Sequence, residues 1–150
     1  MSSSLGKPTF LCDAMLAKLA RWLRMFGYDT ELASNDESDL EILQRARLEG
    51  RIVLTRDKKL GRHKRVVFFD TSDTVKQMRR LVREFGVELS QHPLPLYCSL
   101  CNGRLREALP SELPKFVTRG WVCKDCGQQY WEGAHWRGIK KFIKQVLSED

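Results

Sequence analysis

The chain has 150 residues, 42% of them hydrophobic, which suits one medium domain or a compact domain with a small appended module. Its formal net charge of +7 favours a polyanionic partner, because cations that neutralise phosphates release counterions, although a soluble protein can also simply be basic. No stretch approaches the ~20 apolar residues of a membrane span, and Met1–Pro8 lacks the apolar core of a signal peptide. We therefore expect a cytoplasmic protein with no membrane partner and a disordered lead-in over residues 1–8.

The first part of the chain alternates short apolar runs with amphipathic segments. This alternation predicts βαβ units and an α/β domain with a buried parallel sheet flanked by helices, over residues 9–92. Ser38 and Glu41 form a capping-box pattern at the start of the second helix. The predicted strands are Thr9–Cys12, Tyr28–Leu32, Ile52–Leu54 and Val66–Phe69. The three predicted helices run from Leu16 to Gly27, from Ser38 to Gly50 and from Val75 to Gly86, and each ends at its glycine.

The composition changes after this domain. Gln91–Pro95 contains two prolines and is typical of an extended linker. Residues 96–136 are rich in Cys, Gly and Trp and form a second predicted unit. The last segment, 137–150, is predicted as a basic amphipathic helix that docks by its apolar face.

Four of the five cysteines form two C-x-x-C pairs, Cys98 with Cys101 and Cys123 with Cys126, separated by 21 residues. Two such knuckles predict a closed tetrahedral shell of four thiolates around one structural zinc ion, while disulfides and a redox dithiol are the alternatives. Asn102-Gly103 and Gly127 follow the knuckles, where glycine permits a tight turn. His135 is nearby, but a full shell leaves it no position as a ligand.

Three aspartates follow predicted strands: Asp13, Asp57 and Asp70. Because parallel strands end at the same edge of a sheet, these carboxylates are expected on one side of the domain, joined by Asp39 from the second helix. Such a cluster suits Mg²⁺ or Mn²⁺, whereas Asp13, Asp39 and Asp57 could equally cap helices or turns. Both interpretations stay open from spacing alone, and Asp73 is expected to be either a solvated or a capping residue.

A basic segment lies beside Asp57. It either holds a polyanion over the carboxylates or is a solvated loop, and we favour the first because of the adjacent acids. Cys12, inside the first predicted strand, is expected to be a small buried hydrophobe. The candidate substrate-binding residues are Arg56, Lys58, Lys59, Arg62, Lys64 and Arg65.

Several motifs occur in order along the chain, at Phe10–Arg24, Gly27–Thr30, Ile52–Asp57, Cys101–Gly103 and Cys123–Cys126 with Tyr130–Trp136. Together they resemble the mut-seven C-terminal RNase-domain family. The resemblance implies a PIN-like nuclease domain over 9–92 fused to a zinc ribbon over 96–136.

The resemblance also assigns roles to residues. It implies that Asp13, Asp39 and Asp57 are the catalytic acids that bind a divalent metal, and that Cys98, Cys101, Cys123 and Cys126 bind zinc. Asp70 and Asp73 fall on no motif of the family.

The expected function is that of a Mg²⁺- or Mn²⁺-dependent ribonuclease, a hydrolase of RNA phosphodiester bonds. The expected partner is RNA, with the ribosome or tRNA as candidate associations. The main alternative is a non-catalytic RNA- or ribosome-associated binding protein with a degenerate nuclease site, and a toxin-like nuclease regulated by a partner is a third.

Overall fold

A computed structural model describes residues 6–90, 96–131 and 135–148 of the chain. Most of the expected lead-in and all of the expected linker at 91–95 lie outside these ranges. Within them, no helix has the length and apolar character to cross a membrane.

The first domain is built on a four-stranded parallel sheet, as the sequence predicts, with strand order β2-β1-β3-β4. The strands end on one side, and we call the edge formed there by Asp13, Arg56, Asp57 and Asp70 the carboxyl edge. The strands are β1 (Phe10–Cys12), β2 (Thr30–Leu32), β3 (Ile52–Thr55) and β4 (Val66–Phe68).

Helices cover both faces of this sheet. Alternate residues of a strand point to opposite faces, so Phe10 and Cys12 of β1 belong to one hydrophobic cluster and Leu11 to the other. Three helices pack on the first face and one, α2, on the second. The helices are α1 (Ala17–Met25), α2 (Asp39–Glu49), α3 (Thr74–Phe85) and α4 (His135–Leu147).

The predicted helix boundaries agree with the capping geometry. Ser38 and Glu41 form a complete capping box before α2, and Gly50 ends that helix with φ of 70°. Gly86 ends α3 in the same way, with φ of 68°. The first helix differs from the prediction, because a 3-10 turn over Ala14–Leu16 precedes α1.

The C-terminal helix α4 returns to the first domain. The rings of Trp22 on α1 and Phe142 on α4 stack with centroids 3.8 Å apart and planes 4° apart. Arg79 of α3 donates from Nε to the carbonyl of Val146, at 2.9 Å, near the end of α4. The apolar face of the predicted basic helix therefore completes the same hydrophobic core as α1 and α3.

A second, antiparallel sheet of three strands carries the four-cysteine region, in the order β5-β6-β7. The strands are β5 (Leu105–Glu107), β6 (Gly120–Cys123) and β7 (Gln129–Trp131). Position 120 requires glycine, because a Cβ there would lie 2.6 Å from the carbonyl oxygen of Tyr130 on the paired strand.

Candidate functional site

The four paired cysteines converge on one point. All four Sγ atoms lie within 4.8 Å of one another, with 3.6 Å between Cys98 and Cys126 and 3.5 Å between Cys101 and Cys123. A zinc ion bonded to four sulfurs at about 2.3 Å sets tetrahedral edges of about 3.8 Å, so the geometry is compatible with zinc. All five cysteines of the chain lie in the described residues, and no disulfide joins any two of them there.

Backbone N–H groups turn toward the sulfurs in both knuckles. Gly103 N lies 3.4 Å from Cys101 Sγ, and Cys126 N lies 3.4 Å from Cys123 Sγ. The left-handed residue of the first knuckle is Asn102, with φ of 69°, and not the predicted Gly103. Gly103 is instead required by space, because a Cβ there would lie 2.9 Å from Cys123 Sγ.

Tyr130, on β7, contacts Cys98, the most buried of the four paired cysteines. Its hydroxyl lies 3.0 Å from Cys98 Sγ and accepts a hydrogen bond from Ser99 N at 3.1 Å. Burial, followed by the neighbouring Cys98, raises the pKa of Tyr130 to about 12, so the hydroxyl keeps its proton and can donate to a thiolate. Burial opposes ionisation of Cys98, but bonds from Tyr130 and the backbone lower the pKa of Cys98 to about 7.

Asn102 also joins the four-cysteine region to the first domain. Its side-chain oxygen accepts from Thr30 N at 3.0 Å, and its Nδ2 donates to Asp29 Oδ1 at 2.7 Å and Glu31 Oε2 at 3.0 Å. Buried Arg24 adds a second link, donating to the carbonyl of Ser99 at 3.0 Å. Since β2 is an edge strand, the first knuckle covers an edge that would otherwise be open to pairing.

At the carboxyl edge, Asp13 is buried and held by three donors. Its Oδ1 accepts from Met15 N at 2.8 Å, which makes Asp13 the N-cap of the 3-10 turn. Its Oδ2 accepts from Arg56 N at 2.9 Å and from the hydroxyl of Thr55. A carboxylate has about four lone-pair directions, so about one remains for another ligand.

Thr55 is the residue that the sequence analysis did not identify. It is fully buried at the end of β3, donates its hydroxyl to Asp13, and accepts from Asp57 N at 2.9 Å. One hydroxyl thus bonds the carboxylate of Asp13 and the backbone amide of Asp57. A threonine in the last strand position, two residues before an aspartate, is the sequence signal that could have indicated it.

The other acids are more open. Asp57 is exposed, and its Oδ1 accepts from Lys59 N at 2.8 Å, which forms the turn expected of a capping aspartate. Asp39 begins α2 and is partly exposed, but Ser38 is the cap of that helix. Asp73 caps α3, accepting from Val75 N at 2.9 Å.

The three predicted catalytic acids do not form a tight cluster. Among the described residues, the four cysteines are the one group of three or more potential ligands whose atoms all lie within 4.8 Å. The structure therefore connects the Asp13 carboxylate with the backbone amide of Asp57 through Thr55, and Asp39, at the start of α2, has no bond to either residue.

The basic residues next to Asp57 lie on the surface. Arg56 is half-buried, and its Nη2 donates to the carbonyl of Asp70 at 3.3 Å. The remaining five side chains form no ion pair within the described part of the chain and lie in solvent: Lys58, Lys59, Arg62, Lys64 and Arg65.

The cysteine that is not part of a pair, Cys12, has no exposed surface. Burial raises the pKa of its thiol far above the ordinary value, and the adjacent Asp13 adds to this, against the opposing effect of Arg24. Cys12 is therefore a core residue, as predicted. The side chain of His135 lies outside the described residues.

The fold and the site define a class of protein: a parallel α/β domain with aspartates at its carboxyl edge, joined to a four-cysteine module. The chain matches the Mut7-C RNAse domain family over residues 8–143 and belongs to that family. The resemblance noted in the sequence is thereby confirmed.

A human relative described as an exonuclease mut-7 homolog is 31% identical over 99 residues, which is 61% of this chain. The match covers 11% of that relative's length, so the two proteins share one region of a much longer human chain. No solved structure gives a significant match to this chain.

Proposed function

We propose that the protein is a divalent-metal-dependent ribonuclease that hydrolyses RNA phosphodiester bonds at the carboxyl edge of its parallel sheet. The observation that carries the proposal is the Thr55 hydroxyl that bonds both the Asp13 carboxylate and the Asp57 backbone amide at that edge, in a chain of a nuclease-like family. The exonuclease description of the human relative is consistent with it.

The chemistry of the acids fits Mg²⁺ or Mn²⁺. Asp13, Asp39 and Asp57 offer oxygen donors, and Oδ2 of Asp57 has no hydrogen-bond partner among the described residues. Mg²⁺ is commonly held by only one or two carboxylates with several waters, so binding does not require all three acids to lie within 4.8 Å of one another. When bound, such an ion supplies an activated water and stabilises charge on the phosphate.

The chain's own residues would orient the reacting groups. Thr55 and the backbone of Arg56 fix the direction of the Asp13 carboxylate, while Asp57 extends into solvent where RNA can approach. The exposed cations after β3 and the exposed lysines of α4, Lys140, Lys141 and Lys144, would bind phosphates.

The four cysteines are proposed as the ligands of a structural zinc ion. A closed shell of four thiolates leaves no position for substrate, so the proposed chemistry does not take place there. We further propose that the protein acts in the cytoplasm, on RNA that includes ribosomal RNA or tRNA among its candidates.

Cleavage of RNA by the full-length, zinc-loaded protein tests the proposal. Asp57→Asn is the cleanest variant, because an amide oxygen can still accept from Lys59 N and preserve the turn. We expect a loss of Mn²⁺-dependent cleavage of about a hundredfold or more, since several kcal/mol of charge stabilisation disappear. Asp13→Asn is expected to lose activity too, and Asp36→Asn, an exposed acid before α2, is the matched control.

Wild-type cleavage rates in Asp57→Asn would contradict the site assignment. One observation favours the alternative of a non-catalytic RNA-binding protein, namely that Asp13 already accepts three bonds from the chain. In that case RNA binding would depend on salt and would change neither with Mn²⁺ nor with Asp57→Asn.

A further inference from the structure

A small pocket of about 140 Å³ opens beside Asp13, between the 3-10 turn with the start of α1 and the start of α3. The two residues whose backbone N–H groups hold the Asp13 carboxylate, Met15 and Arg56, also line this pocket. The pocket is therefore a direct neighbour of the proposed site. Its other lining residues are Leu16, Lys18, Leu19, Ser72, Thr74 and Gln77.

The lining has the chemistry of an anion site. It contains two cations, Lys18 and Arg56, and two hydroxyls, Ser72 and Thr74, and it contains no carboxylate. Two neighbouring acids are engaged, because Asp13 accepts three bonds and Asp73 caps α3, while Asp57 and Asp70 lie beside Arg56 outside the lining. An anion in the pocket would thus meet positive charge and hydroxyl donors, and no carboxylate belongs to the lining.

The two cations have unused donors. Lys18 is exposed and forms no ion pair with the described part of the chain. The guanidinium of Arg56 makes one bond, from Nη2 to the carbonyl of Asp70, and its buried Nε has no partner among the described residues. An unpaired buried N–H is costly, so this guanidinium has a reason to take an acceptor from a ligand.

We propose that this pocket binds a phosphate group of an RNA strand, with Lys18 and Arg56 as its cationic donors and Thr74 and Ser72 as its hydroxyl donors. The proposal rests on the proposed function, since it places a second phosphate next to the one that is cleaved. The phosphate belongs either to an internal phosphodiester or to a terminal phosphate of the strand. The small volume fits one such group.

The test is the salt dependence of RNA binding by the full-length, zinc-loaded protein without added Mg²⁺ or Mn²⁺. Each phosphate neutralised on a single strand contributes about −0.7 to the slope of log affinity against log salt. We expect Lys18→Gln to reduce the slope by about 0.7 and to weaken binding by about tenfold, the usual effect of losing a charged hydrogen bond. Lys76→Gln, an exposed lysine of α3 that does not line the pocket, is the matched control and is expected to keep the wild-type slope.

Arg56→Lys gives a second readout, because it keeps the charge but loses the planar donor fork. It is expected to weaken binding while leaving the slope near the wild-type value. Three oligonucleotides, with a 5′-phosphate, a 3′-phosphate or hydroxyl groups at both ends, identify which phosphate is bound. An effect of Lys18→Gln on the RNA with hydroxyl ends indicates an internal phosphodiester. An effect seen only with one of the phosphorylated RNAs indicates the terminal phosphate of that RNA.

The pocket assignment is overturned if Lys18→Gln and Lys76→Gln give equal slopes on all three RNAs. This failure is separate from failure of the proposed function. If the wild-type protein cleaves RNA but the two variants give equal slopes, only the pocket assignment is wrong. If the wild-type protein never cleaves RNA but Lys18→Gln still reduces the slope, the phosphate site stands and the proposed nuclease activity is wrong.

Discussion

The hydroxyl of Thr55 connects two residues of the carboxyl edge, since it donates to Asp13 and accepts from Asp57 N. Because Thr55 and Asp13 are buried, the arrangement depends on every donor being paired. A residue in this position acts through the acids that it holds, so it is a positioning residue of the proposed site.

Thr55→Val replaces the hydroxyl with a methyl group of similar shape. It leaves the buried Asp13 carboxylate with one donor fewer, and we expect the free energy of unfolding to fall by about 1–3 kcal/mol. Urea unfolding of Thr55→Val and of Thr55→Ser, which retains the hydroxyl, measures the difference. A free energy of unfolding of Thr55→Val equal to that of the wild type would show that the hydroxyl bond contributes nothing.

The local elements of the first domain could largely be predicted from the sequence. The capping box of Ser38 and the glycines at 50 and 86 act within one or two turns, so their signals are contained in short segments. The contact of Asn102 with Thr30 could not be predicted, because it joins residues 72 positions apart and depends on how two separate sheets pack. The hydrogen bond between Thr55 and Asp13 could not be predicted either, because these residues are 42 positions apart in the sequence.

At the scale of the elements, the first knuckle and the edge strand β2 form one structural unit. The amide of Thr30 is bonded to Asn102, so its protection requires the knuckle to keep its shape. Removing zinc with a chelator is expected to unfold the four-cysteine turns, since metal binding supplies much of the folding free energy of so small a module.

Hydrogen exchange of individual amides measures this coupling. After chelation, we expect exchange at Thr30 to accelerate by about tenfold or more, the effect of losing a hydrogen bond to a buried amide, while Leu54 in the central strand β3 changes much less. Asn102→Gly tolerates the left-handed backbone but lacks the amide side chain, so Thr30 should exchange fast in that variant with or without zinc. Unchanged exchange at Thr30 after zinc removal would show that the two units are independent.

At the scale of the whole molecule, the chain leaves the first domain, forms the four-cysteine sheet, and returns as α4. The sequence predicts that the basic helix docks by its apolar face, but not on which partner. Its partner is the core under α1 and α3, where Phe142 stacks on Trp22. The segment predicted as a separate unit over 137–150 therefore shares its core with the first domain.

A double-mutant cycle tests the packing of α4 on α1. Phe142→Ala removes a side chain that is 5% exposed and is expected to lower the free energy of unfolding by about 3–5 kcal/mol. Trp22→Ala and the double variant complete the cycle, and stacking predicts a coupling energy of about 0.5–1.5 kcal/mol. A coupling energy of zero between Trp22 and Phe142 would mean that α4 does not pack on α1 in solution.

The central claim is that a divalent ion acts at the carboxyl edge and that the four cysteines hold a different ion. A crystal of the zinc-loaded protein soaked in Mn²⁺, with anomalous scattering measured at energies that separate manganese from zinc, tests both parts together. The result we predict is a manganese peak beside Asp13 and Asp57 and a zinc peak among Cys98, Cys101, Cys123 and Cys126. Manganese bound only away from these aspartates, in a protein that still cleaves RNA, would contradict the claim.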